Sequence, residues 1–177
     1  MSRERNGLSK ESEVPGESGK EKTGSGRGAA GPDREADTAA ILAPLADDPR
    51  TLRMKRFIQH GRITTYDHCM AVARLSDRID RTLHLHSHRS DLIRGAFLHD
   101  YYLYDWHVHG DRLHGFHHPA IACSRASEDF DLDEREKKII RSHMWPLTLL
   151  HAPTCREAVI VCIADKVYST KETLFCR

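Results

Sequence analysis

Six residues of this chain combine a metal-binding chemical type with a position that faces a core: His68, His99, Asp100, His118, His143 and Asp165. Each lies on, or beside, the apolar stripe of a segment whose hydrophobic period is that of a helix. Segment 65–83 aligns His68 with Val72, Leu75 and Ile79. Segment 90–100 groups Leu92, Ala96 and His99, with Ile93 and Asp100 beside them. Segment 117–130 aligns His118 with Ile121 and Ala122, and segment 133–143 aligns Ile139, Ile140 and His143. A single histidine on an apolar face is ordinarily a hydrogen-bonded core residue. A carboxylate is harder to place there. Asp165 closes the run Val159-Ile160-Val161-Cys162-Ile163-Ala164, and burying its charge alone is costly, so it needs a cation, a metal or a proton. Four imidazoles and two carboxylates turned inward together point to a metal site, and such donors suit iron, manganese or zinc.

The elements that must hold these residues are helices. The last of them opens with Thr154-Cys155-Arg156-Glu157, the pattern of a capping box. Ala158, Val161, Cys162 and Asp165 then share one face. No hairpin dipeptide separates alternating apolar runs, which predicts an all-α domain, a compact bundle of about five to six helices over residues 37–177. Residues 1–36 hold no aromatic residue, no isoleucine and seven of the 11 glycines, and they predict a disordered N-terminal tail. The whole chain, at 177 residues, suffices for one sizeable core.

Charge and composition narrow the function classes. Lysine and arginine number 27 against 26 aspartates and glutamates, so no extended nucleic-acid surface is expected. No run of 18 apolar residues predicts a membrane span, and no apolar stretch follows Arg3 and Arg5 as in an export signal. The expected location is cytoplasmic, with no membrane partner. The five cysteines form no CxxC pair and are expected to be reduced. All 13 histidines lie between His60 and His151, a clustering that returns attention to the inward-facing imidazoles.

The six residues recur at intervals of 31, 1, 18, 25 and 22. Their local texts are Thr65-Tyr66-Asp67-His68-Cys69, Gly95-Ala96-Phe97-Leu98-His99-Asp100, His117-His118-Pro119, His143-Met144-Trp145-Pro146 and Ala164-Asp165-Lys166. In order and local text they resemble the HD-domain superfamily of metal-dependent phosphohydrolases, and within it the branch with two further histidines before the last aspartate. The resemblance implies two divalent metal ions, iron or manganese with zinc as the alternative. His68, His99, Asp100 and Asp165 would hold the first; Asp100 would bridge to the second, completed by His118 and His143. It also implies hydrolysis of a small phosphorylated metabolite or nucleotide by a dimetal-activated water. A diiron oxygenase of the same superfamily and a non-catalytic ligand-binding module are the competing functions.

Many superfamily members carry a lysine three residues after the HD aspartate, where this chain has Leu103. The candidates to hold a phosphate instead are Lys166, Arg141, Arg62, His114 and His117, of which Lys166, beside a proposed ligand, is taken as catalytic together with Asp100. His117 competes with His118 for one ligand position. His84, His86 and His88 are expected in a polar loop, and His107 and His109 are expected to be ordinary histidines, with the pocket rim as the alternative. Trp106, Trp145 and residues 101–104 are expected in the core or the pocket wall.

Overall fold

The computed structural model describes residues 32–105 and 113–175. Helix α1 (Pro32–Ala46) leads to a single turn, α2 (Pro49–Leu52), and a 3-10 turn over Arg53–Arg56. Strands β1 (Ile58–His60) and β2 (Ile63–Thr64) precede α3 (Thr65–Thr82), α4 (Arg89–Leu98), α5 (His114–Asp129), α6 (Glu134–Ser142) and α7 (Arg156–Phe175). The architecture is all-α, as the periodicity predicts, and every segment expected to be helical is a helix.

Local chemistry explains several of the boundaries. Thr64 caps α3 by accepting from the Asp67 backbone N–H at 3.2 Å. Asp133 and Glu136 close a capping box on α6, the carboxylate of each accepting from the other's backbone N–H. The Glu157 carboxylate of the expected box on α7 is turned instead to the His88 backbone N–H, 2.9 Å away, and the helix begins at Arg156.

One element departs from the sequence reading: β1 and β2 form an antiparallel hairpin. Strands of three and two residues are too short to alternate visibly, and Gly61, at a φ of 56°, makes the turn between them. Of the expected tail, residues 1–31 lie outside the described residues. Helix α1 starts before residue 37, and the Thr38 hydroxyl donates to the buried Asp77 carboxylate of α3 at 2.6 Å.

Helix α3 packs against α4 and α7, α4 against α6, and α6 against α5. Helix α6 passes close to Gly95 of α4, where a Cβ would meet the Ile139 side chain at 2.8 Å. Gly95 lies four residues before His99, and Ile139 four residues before His143. A missing side chain one turn below both imidazoles thus lets the two helix ends converge.

Candidate metal centre

His68 projects from α3, His118 from α5 and Asp165 from α7; His99 and His143 cap the C-terminal ends of α4 and α6, and Asp100 follows His99. All six are buried. The structure brings them together as two adjoining groups. In one, His68 Nε2 is 3.3 Å from Asp165 Oδ1, and His99 Nε2 is 3.8 Å from the same oxygen. In the other, Asp100 Oδ1 is 3.1 Å from His118 Nε2 and 3.4 Å from His143 Nε2. Asp100 joins the groups, because its Oδ2 lies 3.5 Å from His99 Nε2. Donor atoms of His68, His99 and Asp165, and of His99, Asp100 and His143, each fit within 4.8 Å.

The tautomers follow from what the other ring nitrogens touch. His99 Nδ1 is 2.7 Å from the Ala96 carbonyl, His143 Nδ1 is 2.7 Å from the Ile140 carbonyl, and His118 Nδ1 is 3.0 Å from the His114 carbonyl. A carbonyl only accepts, so each of these Nδ1 atoms carries hydrogen and donates it. His68 Nδ1 likewise donates to Glu172 Oε2 at 2.9 Å. A neutral ring then presents a lone pair at Nε2, and all four Nε2 atoms turn toward the two aspartates. His118 and His143 show the consequence most sharply, with their Nε2 atoms 2.7 Å apart. Two lone pairs at that distance need a proton or a cation between them. His99 Nε2 and Asp100 Oδ1 are buried without a hydrogen bond among the described residues. A cluster of acceptors with no hydrogen to share fits divalent cations, and each fixed Nδ1–H orients its ring toward them.

Without a metal, protons must serve. Burial opposes a charge on His68, but the Asp165 and Glu172 carboxylates outweigh it and raise the ring to about 10. Burial also opposes a charge on His99, and the neighbouring Asp100 overcomes it. Burial would raise the two aspartates, yet the surrounding imidazoles hold both well below the usual carboxylate range. Burial keeps His143 below its ordinary value.

The raised His68 stabilises the metal-free fold below its unfolded value of 6.5, and that contribution is lost as pH rises toward about 10. The depressed aspartates contribute above 3.8 and fail only in stronger acid. A divalent cation bound here would displace the protons, so the rise in melting temperature on adding Mn2+ to chelator-stripped protein should grow steadily from pH 6 to pH 9. Melting curves across that range check this; an increment independent of pH would show that protons and metal do not compete.

Two residues at this site were not identified from sequence. Glu172 lies seven residues after Asp165, two helical turns on, and this spacing was the available signal for it. Gln59, in β1, donates from Nε2 to Asp100 Oδ2 at 2.7 Å, and nothing in its local sequence announces it.

The other candidates are placed as follows. His117 is exposed while His118 is buried, which favours His118 in their competition. Lys166 Nζ donates to the His143 carbonyl at 2.9 Å and stands 3.9 Å from Asp165 Oδ2, with its side chain 43% exposed. His114 stacks on His118, ring centroids 4.6 Å apart, and Arg62 and Arg141 are exposed. His84, His86 and His88 are exposed in the connection after α3. Tyr101 and Tyr102 are buried, Leu103 and Tyr104 half-buried, and Trp145 is 40% exposed. Trp106, His107 and His109 lie outside the described residues. Cys69, Cys123, Cys155 and Cys162 are free thiols.

A family model described as HD domain matches residues 65–169, a span holding all six inward-facing residues but neither Gln59 nor Glu172. No curated protein and no solved structure matches the chain.

Proposed function

The chain belongs to the HD-domain family, and from that premise we propose that it is a phosphohydrolase holding two divalent cations and acting on a small phosphorylated metabolite or nucleotide. The observation that carries the reading is that four Nε2 atoms, on rings whose Nδ1 atoms face carbonyls or a carboxylate, converge on two buried carboxylates. His68, His99, Asp165 and Asp100 would hold one cation; Asp100, His118 and His143 would hold the other. Iron and manganese are the preferred ions, with zinc as the alternative. When bound, such a pair supplies activation of a water and neutralisation of charge on phosphoryl oxygens.

The protein's own groups have separable tasks. The Ala96, Ile140 and His114 carbonyls and the Glu172 carboxylate fix ring orientation, so that no ligand has to reorient during turnover. Burial of the six keeps bulk water from screening them. Asp100 is the shared negative charge. Lys166 is the proposed contact for a substrate oxygen, since its half-exposed ammonium lies beside Asp165.

The test begins with elemental analysis of protein purified without chelator, which should give two metals per chain. Stripped protein reloaded with Fe2+, Mn2+ or Zn2+ is then assayed for phosphate release from a panel of phosphorylated metabolites and nucleotides, in air and without oxygen. Release restored by metal and unchanged without oxygen is the expected result. Metal-free protein as purified, no release from any compound, or a requirement for oxygen would overturn the proposal.

A further inference from the structure

Gln59 is a buried amide whose two ends are both committed. Its Oε1 accepts from the Tyr102 hydroxyl and, at 3.3 Å, from the Thr65 hydroxyl. Its Nε2 donates to Asp100 Oδ2 at 2.7 Å. A flipped amide would set Oε1 against a carboxylate oxygen at that distance, two acceptors face to face. The observed orientation is therefore enforced from both ends. Burial, with the Asp100 charge behind it, keeps the Tyr102 phenol protonated and so a donor.

The consequence falls on Asp100. Its Oδ2 faces Gln59 and His99, while Oδ1 is left to His118 and His143. Rotation of the carboxyl group would exchange the two oxygens or turn both toward one side. A donor fixed on a single oxygen opposes that rotation. The groups on either side are unequal: the His68–His99 group has the Asp165 carboxylate to itself, whereas among the six residues the His118–His143 pair has no anion except Asp100 Oδ1.

We infer that Gln59 is a positioning residue that divides the oxygens of Asp100 between two cations and thereby secures the one held by His118 and His143. The inference rests on the dimetal reading above. It gives the β1–β2 hairpin a purpose beyond packing, since that hairpin is what carries the amide to the metal centre. It also predicts an asymmetry: loss of the amide should weaken one cation and spare the other.

The experiment titrates chelator-stripped protein with Mn2+, counting bound ions by electron paramagnetic resonance of the free ion, for wild type, Gln59→Leu and Tyr102→Phe. Wild type should show two sites. Gln59→Leu should weaken one of them about ten- to a hundredfold, the usual scale for losing a group that orients a ligand, and leave the other within about twofold. Tyr102→Phe removes only the hydroxyl that locks the amide and should weaken the same site to a smaller degree, which keeps the test decisive if Gln59→Leu folds poorly. A residue that merely fastens the hairpin would lower the melting temperature of the stripped protein and shift both sites alike, or neither. That result overturns the inference and leaves the dimetal reading intact. A wild-type protein with fewer than two sites overturns both.

Discussion

Asp100→Ala is expected to lower phosphate release by at least about a thousandfold, the scale of removing a charge-stabilising group from a reaction centre, and to strip the cations. Asp100 is 3% exposed, and its two oxygens reach His99, His118, His143 and Gln59. Among the described residues no other carboxylate stands between the two groups of imidazoles; Asp165 lies on the His68 and His99 side. Without Asp100, two dications would sit close together among neutral rings with one anion for both, and their repulsion would go unopposed. Asp100→Asn separates charge from shape. It keeps the volume and an acceptor for Gln59 but removes the negative charge, and it should lose metal almost as completely. Both variants are to be measured for metal per chain, melting temperature of the stripped protein and rate. If either keeps wild-type metal content and rate, Asp100 is an ordinary buried hydrogen-bonding residue and the proposed function fails with it.

What was legible in the sequence was local. A helix that must bury one face writes an apolar period into its residues, and a histidine or aspartate interrupting that period stands out without knowledge of the partner helix. His68, His99, His118, His143 and Asp165 all announce themselves in this way, and five such interruptions in a fixed order carried the family resemblance. Glu172 escapes the rule: it lies seven residues beyond Asp165, but the polar Ser169 precedes it by one turn, so no apolar stripe runs up to it. Gln59 had no signal of any kind. It sits in a three-residue strand, and its role depends on a carboxylate 41 residues away and on a phenol beside that carboxylate. The convergence of α4 and α6 at Gly95 and Ile139 was equally hidden, because a glycine in a helix looks alike whether or not another helix passes over it. The 2.7 Å approach of His118 and His143 depends in the same way on the packing of α5 against α6. Periodicity thus named the ligands, while the packing that brings their lone pairs face to face appears only in three dimensions.

That confrontation of lone pairs has a cost the metal-free protein must carry, and His143→Leu should expose it. Leucine is apolar and fills a similar volume, so little cavity forms. The Nδ1–H bond to the Ile140 carbonyl is lost, worth about 1 kcal/mol. Against this, the Nε2 atom 2.7 Å from His118 Nε2 disappears, and with it the need for a proton there. Stripped His143→Leu protein should therefore melt at or above the temperature of stripped wild type, while holding one metal instead of two and losing activity by at least about a hundredfold, the scale of a removed stabilising group. Ile140→Ala is the opposing control. Ile140 is fully buried on the same helix and offers no donor atom to the centre, so its truncation should cost about 2–5 kcal/mol by leaving a cavity. The molecules that remain folded should keep both metals and their rate. One variant then loses function without stability and its neighbour loses stability without function, the pattern of a site held against its own folding preference. Differential scanning calorimetry on stripped protein, metal analysis and phosphate release decide the matter. If His143→Leu unfolds as readily as Ile140→Ala and retains two metals, His143 belongs to the core and not to the centre.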